Sequence, residues 1–299
     1  MNLETLIGAG FATSIFLTVL AVGMAVKRED LRYVLGQPGR LARALLAINV
    51  LVPVATVVVC KTFSLHPAVI VALVTLSVAP VSALFAHAML PLVVPGRMSG
   101  ANGLFFASTL LAVIVTPLAV EGVQLFASGD SEAVHVSPLA VAQVVFGSVL
   151  LPLFAGFAIA RRSPGAKAWA PVMQKLGSIL LVACAIPVLI GAWPHLLPLV
   201  REGTLTAIAL ITLVALAAGH LLGGPNEDDR TVLAFACVSR HPGVAMAIAA
   251  LTGEPLAPLG VLLAVLVSEV AVTPYKIWRK RVRTAAAAAG RNPPAAGAH

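Results

Sequence analysis

The sequence predicts an all-α integral membrane protein: nine transmembrane helices in two inverted repeats, each repeat holding a proline-broken helix. Three observations predict it. Of 299 residues, 59% are hydrophobic and 11% charged, roughly half the charged share of a soluble domain. Nine apolar runs come close to the ~20 residues that a bilayer crossing requires. The basic residues, finally, gather on one side of those runs. Of the 20 Lys and Arg, all but Lys61, Arg201 and Arg240 fall on one side when the loops alternate.

In chain order the expected spans are 5–26, 42–60, 68–92, 100–120, 137–160, 171–193, 204–222, 231–251 and 256–277. The first has the flanks of a spanning helix rather than a cleaved leader: Glu4 precedes it, Lys27-Arg28 follows, and its apolar run is long. The 10 positions 127–136 form the longest outer connector, with Asp130, Glu132 and His135. One transmembrane domain is expected over 1–284, its repeats at about 1–122 and 137–284. A disordered tail is expected over 285–299.

The positive-inside rule makes the basic side cytoplasmic. The N-terminus is then outside and the C-terminus inside an inner membrane. The net charge of +8 therefore reads as topology, and no nucleic-acid partner is expected. Cys60, Cys184 and Cys237 lie in apolar runs without metal-ligand spacing. No cofactor and no metal site are expected.

Two spans carry a proline near their middle beside residues that weaken a helix; Pro53, Pro152 and Pro187 also fall within spans. The third reads Ser77-Val78-Ala79-Pro80-Val81-Ser82 and the eighth Ser239-Arg240-His241-Pro242-Gly243. A mid-helix proline removes a hydrogen bond and clashes with the preceding turn. Opened backbone at membrane depth is tolerated only inside protein or beside a watery cavity. Paired interruptions of this kind point to a midplane binding site.

Arg240 lies too deep to snorkel easily, and an intramembrane arginine is by default functional or paired. His241 adds a group that titrates near neutrality. Glu269, deep in the ninth span, is the expected acidic partner of Arg240. Further candidates for binding or coupling are Ser239, Pro242, Pro80, Ser82, His87, Asn49, Ser108 and Thr109, with Asn102 beside them.

These stretches carry a resemblance. AVGMAVKREDLRYVLGQPGR (21–40), NVLVPVA (49–55), ALVTLSVAPVSALFAHAM (72–89), FFASTLLAVIVTPLAV (105–120) and RTVLAFACVSRHPGVAMAIAAL (230–251) resemble the bile acid:sodium symporter family. The resemblance implies a panel domain and a core domain, alternating access between them, and an organic anion bound beside two crossing helices. Nine-helix members lack the first helix of the first repeat.

The sodium ligands of that family are replaced here. By the resemblance its Ser-Asn pair falls on Phe85 and Ala86, and its hydroxyl ligands on Ala101 and Phe105. Its glutamate falls on Ala236, its Gln-Asn pair on Arg240 and His241, and its crossover glycines on Val81 and Ser82. Ala and Phe side chains offer a cation no oxygen. The expectation is a carrier of small organic anions in which Arg240 supplies the charge of sodium, with a proton exchanged at His241 or Glu269.

Three alternatives stay open. A sodium-coupled symporter would use backbone carbonyls and Ser82 as ligands. A membrane sensor or scaffold would have kept the fold and lost transport. A membrane-embedded enzyme would use His241 or His87 as base, but no HExxH, nucleophile elbow or paired Asp motif supports it.

Overall fold

The computed structural model describes residues 3–27, 32, 36–82, 92, 98–127, 136–191, 193–200 and 203–288. Ten helices carry the fold. They are α1 (Leu3–Ala25), α2 (Pro38–Thr62), α3 (Pro67–Val78), α4 (Met98–Ala127) and α5 (Pro138–Arg162). After them come α6 (Ala170–Gly191), α7 (Thr204–Leu222), α8 (Glu227–Val238), α9 (Pro242–Ala250) and α10 (Ala257–Ala288). Among the described residues there is no strand, only one isolated antiparallel bridge, Val81 with Arg240.

Local chemistry sets the helix starts. Proline opens α2, α3, α5 and α9, where its missing N–H is one the helix leaves unpaired anyway. His66 caps α3 by accepting the Ala68 N–H on its ring nitrogen at 3.1 Å. Gly203, at φ +88°, turns the chain into α7 at a spot where a Cβ would lie 2.7 Å from Phe63. Glu227, Asp228 and Asp229 occupy the first turn of α8, opposing the positive end of its dipole.

Six helical stretches are long and apolar enough to cross a membrane among the described residues. They lie in α1, α2, α5, α6, α7 and α10. Their outward faces carry bare apolar side chains: Leu221 is 78% exposed and Val270 74%. In water such a surface would aggregate; facing acyl chains it needs no cover. The protein is a multi-pass membrane protein.

The helices sort into two groups. In one, α1 packs along α5 and α6. Gly23 and Gly156 make the α1–α5 crossing close, because a Cβ on Gly23 would strike the Leu153 carbonyl and one on Gly156 the Leu20 carbonyl. In the other, α7 packs on α2, α8 and α10, and α3 packs on α9 and α10. The two groups touch where α4 and α9 meet α5.

The third and eighth expected spans are not merely kinked. In the third, α3 stops at Val78, and the eighth is cut into α8 and α9 by residues 239–241. At the other end of the chain α10 runs on to Ala288, so helix continues past the 284 boundary expected from sequence.

Candidate functional site

The two breaks meet. The His241 N–H donates to the Pro80 carbonyl at 2.9 Å, and the Ser82 N–H donates to the Ser239 carbonyl at 2.7 Å. Pro80-Val81-Ser82 and Ser239-Arg240-His241 thus run antiparallel as a two-residue-deep crossing. Each break offers the backbone groups that the other lacks, which is how non-helical chain persists where water is scarce. Just before the crossing the Arg240 N–H turns back on the Val238 carbonyl at 2.8 Å.

Arg240 is 6% exposed. Its Nε donates to the Cys237 carbonyl at 3.1 Å, Nη1 to the Ala79 carbonyl at 3.1 Å and Nη2 to the Ile48 carbonyl. Its acceptors come from α8, from the first break and from α2. The Ile48 acceptor has a covalent origin. Residues Ala47–Leu51 form a π turn in which the Val52 N–H reaches back to Ala47. The next residue is Pro53, which has no N–H to give Ile48. The guanidinium fills that vacated position.

The expected pairing of Arg240 with Glu269 is corrected by this geometry. Glu269 accepts from Lys276 Nζ at 2.6 Å on the outer face of α10, with its side chain 64% exposed. Two positions seven apart lie two turns apart on one helix face, and that face turns away from the crossing. Arg240 forms no ion pair among the described residues.

A cavity of about 660 Å³ lies between the two helix groups. Phe11, Ala12 and Ile15 of α1 line one side, Gly243, Met246 and Ala247 of α9 the other, and Gly147 and Ser148 of α5 a third edge. The lining is apolar except for Ser148, whose hydroxyl donates to the Val144 carbonyl of its own helix, and for two backbone sites. One is the start of α9, where the first-turn N–H groups have no acceptor within the helix and carry the positive end of its dipole. Beside it sits His241, 3% exposed, whose Nδ1 has no partner among the described residues. Its Cε1 lies 3.7 Å from where a Cβ on Gly243 would project. The other is the Gly147 carbonyl. Residues Phe146–Leu150 form a second π turn, the Leu151 N–H returns to Phe146, and Pro152 has no N–H for Gly147.

The remaining candidates scatter around this centre. Asn49 lies in the first π turn and donates from Nδ2 to the Leu45 carbonyl at 3.2 Å. Ser108 and Thr109 are buried on α4, and the Thr109 hydroxyl has no partner among the described residues. Pro80, Ser82, Ser239 and Pro242 are parts of the crossing itself. His87, Phe85 and Ala86 lie outside the described residues.

Arg240 lines a second, smaller cavity rather than the large one. That space, about 40 Å³, lies within the α2, α3, α7, α8 and α10 group. His241 and Arg240, adjacent in sequence, thus serve opposite sides of the crossing.

Sequence reasoning missed the π turns and the large cavity's α1 wall. One signal was readable: Asn49-Val50-Leu51-Val52-Pro53 and Ser148-Val149-Leu150-Leu151-Pro152 share one pattern of a polar residue four positions before a proline. Each marks a carbonyl without a helical donor. The α1 wall left no such mark, since Phe11 and Ile15 read as ordinary apolar positions of a span.

No match is found among curated proteins. The sequence does match the sodium bile acid symporter family over residues 12–221. That stretch runs from within α1 to the last turn of α7 and ends before the Arg240 break. A membrane protein built of helices fits that match, and the chain belongs to the sodium bile acid symporter family.

Proposed function

We propose that this protein is a secondary transporter of small organic anions that works by alternating access and without sodium. In this reading the chain crosses an inner membrane nine times, with its N-terminus outside and its C-terminus in the cytoplasm. The α1–α5–α6 group acts as a panel, and the group built on the crossing acts as a core that moves against it.

One observation carries the reading. Arg240 stands where the family resemblance expects a sodium ligand, and its guanidinium is fixed to carbonyls of three segments at the crossing. A permanent cation there repels a second cation, since two unit charges ~4 Å apart interact by about 4 kcal/mol at an effective dielectric of 20. The start of α9 favours an anion in the large cavity. The apolar walls from Phe11, Ile15 and Met246 suit a carboxylate with an apolar body. His241, buried beside the cavity, is the group that would exchange a proton.

Thermal stability of the detergent-purified protein, titrated with sodium against potassium and choline at constant chloride and ionic strength, tests the reading. No sodium-specific shift is expected. In proteoliposomes, uptake of carboxylates is expected to be the same with a sodium or a choline gradient and to rise with an inward proton gradient. A saturable, sodium-specific stabilisation would overturn sodium independence. Absence of uptake across an organic-anion panel, with binding retained, would favour a sensor.

A further inference from the structure

The small cavity beside Arg240 has a composition of its own. Thr56 of α2, Ser77 of α3, Thr212 of α7 and Ser268 of α10 bring four hydroxyls to it, and Arg240 closes it at the break. Each of these side chains is drawn from a different helix of one group. Its volume, about 40 Å³, suits one or two bodies the size of water, whose liquid share is roughly 30 Å³ each.

The donors are what distinguish it. A guanidinium has five N–H groups, and Arg240 spends three on the carbonyls of Cys237, Ala79 and Ile48. Two remain, on a side chain that is 6% exposed. The Thr212 and Ser268 hydroxyls lie 2.9 Å apart, and Thr212 is also 2.8 Å from the Ile208 carbonyl. With the Thr212 proton on the Ile208 carbonyl, Ser268 donates to Thr212, so a proton of this pair turns toward the cavity only by giving up the local Thr212–Ile208 bond. Thr56 and Ser77 donate to the Val52 and Val74 carbonyls of their own helices at 2.9 and 2.8 Å. Those bonds are local and exchangeable by rotation about one torsion.

Charge selects the occupant. A guanidinium buried without a carboxylate is costly, and buried ions persist when paired and fully hydrogen-bonded. Among the described residues Arg240 has carbonyls but no anion. A cation is disfavoured beside it for the same reason that sodium is. We propose that a small monovalent anion of halide size binds in this cavity, held by the two remaining guanidinium N–H groups and the Thr212–Ser268 pair. It neutralises Arg240 inside the helix group and so holds α2, α3, α7 and α10 around the crossing. This site is separate from the large cavity and does not depend on which solute that cavity carries.

The test is thermal unfolding of the purified full chain in detergent with chloride or bromide replaced stepwise by gluconate, sodium and ionic strength held constant. A saturable halide-specific rise of several degrees is expected, because a ligand bound only to the folded state stabilises it. In Thr212→Val and Ser268→Ala the half-saturating concentration is expected to rise about tenfold, with melting in gluconate close to that of the unaltered protein. A second readout needs no variant: bromide located by anomalous scattering in crystals is expected within hydrogen-bond reach of the Arg240 guanidinium. No halide-specific shift, or a rise linear in concentration without saturation, overturns the proposal. So does a halide shift that both variants leave unchanged, or bromide found only elsewhere.

Discussion

Arg240 Nη2 donates to the Ile48 carbonyl, a carbonyl that Pro53 leaves without a helical donor. A proline in one helix and an arginine in the break of another are therefore one structural unit, although they are far apart in the chain. Replacing Arg240 by Met leaves buried carbonyls unpaired, and each such loss costs about 1–3 kcal/mol. Arg240→Met is expected to lower stability in mixed-micelle unfolding by about 3 kcal/mol. In Pro53→Ala the restored N–H offers Ile48 a helical partner, so Arg240→Met should cost about 1 kcal/mol less in that background. An additive pair would show that the two residues act independently.

The large cavity gives a prediction that separates transport from folding. Ala247 of α9 is partly exposed and lines it, and about 660 Å³ leaves room for a ring. Ala247→Phe is expected to abolish uptake in proteoliposomes while melting changes by at most a few degrees. Leu262→Ala widens the same space and should shift preference toward bulkier anions. Each methylene group contributes about 1 kcal/mol or more of discrimination in an apolar pocket. Competition assays with a homologous carboxylate series check this.

Two glycines on α5 should respond oppositely to the same change. A Cβ on Gly156 would strike the Leu20 carbonyl of α1, whereas one on Gly147 meets nothing within 4 Å. Gly156→Ala must push two backbones apart and is expected to cost about 2 kcal/mol. Gly147→Ala is expected to be neutral or to stabilise by up to about 1 kcal/mol, since alanine restricts the unfolded chain. Unfolding in mixed micelles measures both.

The Glu269–Lys276 pair on the outer face of α10 is expected to be structural. Glu269→Gln leaves Lys276 alone at the lipid face, and Lys276→Met leaves Glu269 alone; a charge without a partner is disfavoured there. The double variant should melt above either single variant. Uptake by Glu269→Gln is expected to match the unaltered protein, because its carboxylate does not reach Arg240. Strongly reduced uptake with unchanged melting would restore Glu269 as a coupling group.

Several parts of the site are legible in the sequence. Pro80 and Pro242 announced the two breaks because each stands beside residues that weaken a helix; proline alone does not suffice, as Pro187 and Pro274 sit inside continuous helices. Arg240 announced itself as buried and satisfied, because an unsatisfied charge does not stay in a span. The chemistry of its satisfaction was not readable. An arginine donates to carbonyls as well as to carboxylates, and Glu269 looked the better partner only because the direction in which each α10 residue faces was unknown.

The sequence by itself determined the solvent of this protein and the places where α3 stops and α8 gives way to α9. Those follow from properties that act locally: apolar content per run, and a missing N–H beside residues that weaken a helix. Only the tertiary structure decided that the two breaks pair through His241 with Pro80 and Ser82 with Ser239, and that Arg240 turns to a small hydroxyl-lined cavity while His241 sits beside the large one. Neighbours on either side of one peptide bond in an extended stretch point to opposite faces. Which face meets which helix is set by packing between residues far apart in the chain, and no local rule of sequence contains it.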